Sequence, residues 1–330
     1  MRRLYFDSSI YGFIHECLTR NPNEATWIHR WLRAAGWRLV ASDEANLGEA
    51  IAIPDVGVRA KRLALIRGMS EWAKPPIDLV LTEEFVNEAA RHHRPWISQF
   101  IGQQDRKRYL DSRFGETWGA LEQDPTATAF HTRPDLRDQL GAMERILTAN
   151  KDAQKERRRI RRLTGNNVTV IATEPELARI WNGLPPGEMY WRLHMYQDYT
   201  QLLLNPQGPS AETDWLPRLM DLKKIFEDGG RTWQRFWALE ADAVRMPANY
   251  LYVAGLECQE EHKSDRGASV DRIHLCYLHN CDAVVTADRG LYETMVCALK
   301  IAPSRGEPVL INRGATSALA ELQSHLASRT

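Results

Sequence analysis

Apolar residues along this chain fall into short unbroken runs separated by longer stretches of helical period. Leu4-Tyr5-Phe6, Trp37 to Ala41, Ile77 to Leu81, Ala283 to Thr286 and Pro308 to Ile311 have the length of strands, and continuous runs of this kind suit a parallel sheet covered on both faces. Helical patterning follows them. Ser8 and Ser9 are suited to cap a helix after the first run, and Ser42 one after the second, with Asp43 and Glu44 in its first turn. Thr82 to His92 reads as a helix behind the third run, and two more follow the fourth and fifth, the last from about Thr316. Strands alternating with helices predict an α/β domain with a parallel sheet.

Between about Trp96 and Arg245 the pattern changes to mostly helical, charge-rich sequence with turn material at 183–187 and 205–211. Several of the eleven tryptophans fall here, which argues against a disordered linker. One run, NNVTVIAT at 166–173, reads as an isolated strand, with Thr173 and Glu176 boxing the helix after it. No internal repeat or low-complexity tract interrupts the chain. The expected organisation is one α/β domain built from residues 1–95 and 246–330, interrupted by a helical insertion over 96–245.

Composition narrows the classes. Lys plus Arg and Asp plus Glu are each 43 among 330 residues, so the formal net charge is zero and any polyanion-binding face is local. No apolar run approaches the roughly 18 residues of a membrane span, and MRRLYFDSS is too short in its apolar part for a secretory signal. Five cysteines, an odd number with no CxxC pair, argue against a disulfide framework. The expectation is a soluble cytoplasmic protein with no membrane partner.

The acids carry the chemistry. Asp7 ends the first strand run and Asp288 follows the fourth, at the strand carboxyl ends where open α/β sheets place functional groups. Asp271 heads the helix before the fourth strand, and Glu49 lies about two turns into the helix after the second. Glu44 competes with Glu49, since five helical positions separate them by about 140°. If these four converge, their negative charges demand one or two hard divalent cations, and carboxylates with water suit Mg²⁺ or Mn²⁺. Each acid also has a plainer reading: Asp271 and Asp288 as helix or turn residues, Glu49 as a solvated one. His274, three residues after Asp271 on nearly the same helix face, suits either a phosphate contact or a satisfied buried imidazole. With Cys276, His279 and Cys281 it matches a zinc set in residue type, but on a helix 274 and 276 point about 200° apart. No Walker loop or GxGxxG occurs.

LYFDSS at 4–9, SDEANLGE at 42–49, DRIHLCYLHN at 271–280 and VVTAD ending at 288 resemble, in order, the four acidic blocks of PIN-domain nucleases. The resemblance covers about residues 1–95 and 246–312, and the Asp-headed helix running into T-x-D-R is its most specific part. It implies a PIN-like parallel sheet, Asp7, Glu49, Asp271 and Asp288 as the catalytic and metal-holding cluster with Mg²⁺ or Mn²⁺, and Ser8 and Thr286 as supporting polar groups. It implies cleavage of nucleic acid, RNA favoured over DNA, as in toxin ribonucleases, and admits a cognate inhibitor protein or a homo-oligomer as partner. A non-catalytic binding module on the same scaffold and a structure-specific DNA nuclease are the alternatives. In the insertion, KDAQKERRRIRRL at 151–163 places Lys155, Arg158 and Arg162, with Arg159 beside them, where they form either a solvated face or a phosphate-binding one. The aromatics of YWRLHMYQDY, 190–199, stack bases or pack a core, and their helical spacing favours the core.

Overall fold

A computed structural model describes residues 1–51, 53–75, 77–108, 175–205, 211–261 and 268–327. Five strands, β1 (Arg2–Phe6), β2 (Trp37–Ser42), β3 (Trp72–Lys74), β4 (Ala283–Thr286) and β5 (Glu307–Leu310), form one sheet in the order β3-β2-β1-β4-β5. Every pairing is parallel. The chain is an α/β protein with a parallel sheet flanked by helices.

Side chains alternate across that sheet with a period of two. Leu4, Phe6, Leu39, Ala41, Ala283 and Val285 enter one core with α1 (Ser8–Leu18), α2 (Glu24–Ala34), α4 (Val56–Met69) and α12 (Ala318–Leu326). The intervening Tyr5, Val40 and Val284 enter a second core with α5 (Ile77–His92), α9 (Pro247–Glu261), α10 (Ala268–Cys276) and α11 (Arg289–Ile301). Between β2 and α4 lie a π-helical turn, Asp43–Leu47, and the short α3 (Gly48–Ile51). Gly306 lets the chain pass against the Leu278 and Cys281 carbonyls before β5, where a Cβ would collide with both.

One predicted strand is a helix. Ile77 to Leu81 forms the first turns of α5, and the third strand is the shorter Trp72–Lys74 just before it. A five-residue apolar run suits a buried helix as well as a strand. The prolines at 75 and 76 of the sequence decide the case, because proline cannot donate to a ladder and suits a helix start. Capping is also redistributed. Asp7, rather than Ser8 or Ser9, caps α1 by accepting from Ile10 N–H, while Ser42 Oγ accepts from Ala45 N–H as expected. Asp271 lies in the first turn of α10, at its fourth position.

The described part of the 96–245 segment is helical, with α6 (Pro175–Gly183), α7 (Pro186–Leu204), α8 (Ala211–Leu219) and shorter turns. Together with Phe85, Val86 and Ala89 of α5 it builds a third, aromatic core around Trp181, Trp191, Tyr199, Trp233 and Trp237. Phe85 stacks on Tyr199 with ring centroids 4.0 Å apart. The 190–199 aromatics Trp191 and Tyr199 are therefore packing residues. The strand expected at 166–173 and the basic run 151–163, with Lys155, Arg158, Arg159 and Arg162, lie outside the described residues.

The cysteine expectation fails at one pair. Cys258 of α9 and Cys297 of α11 form a disulfide, while Cys17, Cys276 and Cys281 are free and buried. Spacing could not show it, since the two cysteines are 39 residues apart and meet only because α9 packs on α11. No helix among the described residues is long and apolar enough to cross a membrane.

Glu84 of α5 caps α9 from outside, accepting from Ala248 N–H, Asn249 N–H and Asn249 Nδ2. Burial outweighs those donors and pushes its carboxyl up to about 6. A raised folded value means the contribution is complete below the unfolded pKa and is lost as pH climbs through the folded one. Stability should therefore fall by about 2 kcal/mol between roughly pH 4.5 and 6. In Glu84→Gln, which keeps one acceptor, urea midpoints across that range should lose this component. An identical pH profile in the variant would assign the slope to other groups.

Candidate functional site at the carboxyl edge of the sheet

The strand order fixes where the site lies. From β1 the chain moves outward to β2 and β3, and from β4 it moves the opposite way to β5. The switch point is the crevice between the carboxyl ends of β1 and β4, where open α/β sheets bind ligands. Asp7 follows β1 there and Asp288 follows β4. Asp7 N–H donates to the Val285 carbonyl at 3.1 Å, extending the β1–β4 ladder into the site.

Asp7 is 4% exposed. Its Oδ1 accepts from Ser9 Oγ at 2.6 Å and its Oδ2 from Thr286 Oγ1 at 3.0 Å. Burial nevertheless dominates and holds its carboxyl above the usual range; the His274 charge and the two hydroxyls oppose that, and Glu49 adds to it. Thr286 Oγ1 also accepts from Asp288 N–H at 2.9 Å, so one hydroxyl joins both loops. Ser9 Oγ accepts from Ala287 N–H at 2.8 Å and closes the same corner.

Asp288 is the N-cap of α11, its Oδ1 accepting from Leu291 N–H at 3.0 Å. The positive partner that the strand-end carboxylate requires is, within the chain itself, a helix amino terminus. Glu49 reaches a different donor. Its Oε2 lies 3.1 Å from His274 Nε2, and His274 Nδ1 lies 2.8 Å from Tyr5 Oη. Burial raises Glu49, but the His274 hydrogen bond and charge outweigh it and hold the carboxyl below its ordinary value. Burial lowers His274 in turn, yet Glu49, with Asp7 and Asp271 behind it, raises the imidazole. His274 is thus a satisfied buried imidazole, engaged at both ring nitrogens, and the charge of Asp271, one turn before it, adds to the upward shift.

The structure brings Asp7, Glu49, His274 and Thr286 into one electrostatically coupled group, with Asp271 and Asp288 at its margins. Among the described residues no set of three or more His, Cys, Asp or Glu side chains stands as a metal-ligand group. The geometry gives the reason: Asp7 is drawn to two hydroxyls, Glu49 to an imidazole and Asp288 to a backbone N–H. The four predicted zinc-type residues separate as the helical angle requires, with His274 facing Glu49 and Cys276 buried near the Ala248 carbonyl.

Three contributors had weak or no signal in the sequence. Ser9 holds both Asp7 and Ala287, and its only mark is the Ser8-Ser9 pair after the strand. Tyr5 has the alternation of a core strand residue, which hides its hydrogen bond. Arg62 of α4 donates from Nη1 to the Ser8 carbonyl at 2.9 Å, and nothing in its local pattern places it beside Asp7. Ser8 itself contributes that carbonyl, and its hydroxyl helps His274 to hold the Glu49 carboxyl low. Comparison with protein-family models, curated proteins and solved structures finds no match.

Proposed function

We propose that the chain is a PIN-like, metal-dependent nuclease acting on single-stranded RNA. The observation that supports this reading is the location of Asp7 and Asp288 on the two strands flanking the switch point, joined through the Thr286 hydroxyl. The residues fit a hard cation. Asp7, Glu49, Asp271 and Asp288 offer only oxygen donors, as Mg²⁺ and Mn²⁺ prefer. Asp7 is a carboxylate made costly by burial.

In this reading the four acids would hold the ion, whose chemistry is Lewis-acid activation of water and neutralisation of charge at a phosphodiester. The chain's own part is orientation. Ser9 and Thr286 fix the Asp7 carboxylate, and α11 fixes Asp288 by accepting it as a cap. His274 holds Glu49 through a hydrogen bond, and the acids around it push its imidazole toward the charged form. The non-catalytic scaffold reading draws on the same engagements, because Asp7, Glu49 and Asp288 each already have a protein donor.

Incubation of the chain with end-labelled single-stranded RNA and DNA, in Mn²⁺ and in chelator, tests the proposal. RNA should be cut in Mn²⁺ and left intact in chelator. Preferential cutting of flapped DNA would move the substrate to DNA structures. If no nucleic acid is cut in Mn²⁺ while oligonucleotides still bind, the scaffold reading replaces the nuclease one.

A further inference from the structure

The Arg62 guanidinium lies half-buried near three carboxylates, Glu16, Glu49 and Asp7, and hydrogen-bonds to none of them. Among the described residues its one hydrogen bond is Nη1 to the Ser8 carbonyl, and its Nε is buried with no acceptor. A buried cation without a full set of acceptors is expensive, and proteins retain one where a ligand completes it. Its location is built rather than incidental. The side chain crosses from α4 over α1 at Gly12, where a Cβ would stand 3.1 Å from both Nη1 and Nη2. Glycine in a helix interior costs about 1 kcal/mol relative to alanine, and here it makes the space in which the guanidinium lies.

Arg62 stands among both acids and cations. Glu16 acts on it most strongly of the acids, followed by Glu49 and Asp7 of the switch point. Glu16 is itself engaged by Arg313. On α1, burial lowers the His15 imidazole, and the charges of Arg62 and Lys61 lower it further against Glu16. Lys61 and Arg313 thus act on the same face of α1, and Arg62 is the cation that also reaches the acids of the switch point.

We infer that Arg62 holds a backbone phosphate of the single-stranded substrate next to the bond presented to Asp7 and Glu49, with the strand leaving over α1 toward His15, Lys61 and Arg313. The planar fork suits a phosphate, taking two of its oxygens. The inference rests on the nuclease reading and adds the substrate's path to it.

The test is binding of a short fluorescent oligouridylate in chelator across a salt series, with cleavage of the same strand in Mn²⁺. Arg62→Ala should weaken binding about tenfold, as loss of a charge-assisted hydrogen bond does. The log–log salt slope should fall by about 0.7, the contribution of one phosphate contact on a single strand. Arg62→Lys should keep the slope and recover only part of the affinity. Gly12→Ala keeps every charge but makes the guanidinium give by a few tenths of an ångström, so cleavage should drop with the slope unchanged. Melting curves verify that each variant is folded; should Arg62→Ala fail to fold, Arg62→Lys and Gly12→Ala carry the test. If the wild type cuts RNA while Arg62→Ala keeps its affinity and slope, this inference fails and the nuclease reading stands. A wild type that neither binds nor cuts overturns both.

Discussion

Asp7→Asn should abolish Mn²⁺-dependent cleavage, by on the order of 10³-fold or more, while leaving the chain folded. The size follows from losing one anionic ligand to a hard cation, a step worth several kcal/mol at a tenfold rate per 1.4 kcal/mol. Folding should survive because the amide oxygen still accepts from Ile10 N–H and Ser9 Oγ, the two partners of Oδ1, and asparagine is as good an N-cap as aspartate. The amide nitrogen then faces Thr286 Oγ1, which can accept as well as donate.

Charge gives this variant a second readout. The Asp7 carboxyl is raised by burial, so its contribution to stability is complete below the unfolded pKa and lost as pH rises through the folded one. Asparagine has no such loss, and near neutral pH the metal-free variant should be at least as stable as the wild type. Mn²⁺ binds only the folded state in this reading and should raise the wild-type Tm by mass action, an increment that the variant lacks. Wild-type cleavage rates in Asp7→Asn would remove Asp7 from the site, and a collapse in chelator would make it a structural hydrogen-bonding residue.

What the sequence made legible was set by locality. Four of the five strands stand out because a doubly covered parallel strand is an unbroken apolar run, and Asp7 and Asp288 follow two such runs directly. Ile77 to Leu81 misleads for the same reason, since length and apolarity are shared by a buried helical turn and only the two prolines before it break the tie. Glu49 takes its place from its contact with His274, a residue 225 positions away in the chain. His274 shows a suggestive spacing after Asp271, but its role depends on Tyr5 from β1, which presents itself as core. Arg62 has no local mark at all: its significance arises where α4 crosses α1, and the single hint is a glycine inside an otherwise good helix.

The disulfide is the other long-range feature, and breaking it should have the largest effect on stability. Cys258 and Cys297 close a loop of 39 residues, so chain entropy alone assigns the link about 4 kcal/mol. That loop contains α10, with Asp271 and His274, and all of β4, and it ends within α11 beyond the Asp288 cap. Reduction therefore frees the segment that supplies half of the site. With about 2–4 °C per kcal/mol for a chain of this size class, the Tm should fall by roughly 10 °C in reductant or in Cys258→Ala. The reductant effect should vanish in that variant, because Cys17, Cys276 and Cys281 are already thiols. Thiol titration of the denatured, unreduced chain should count these three and no more. Five titrating thiols would mean that α9 and α11 are held by packing alone, and the Tm should then be indifferent to reductant.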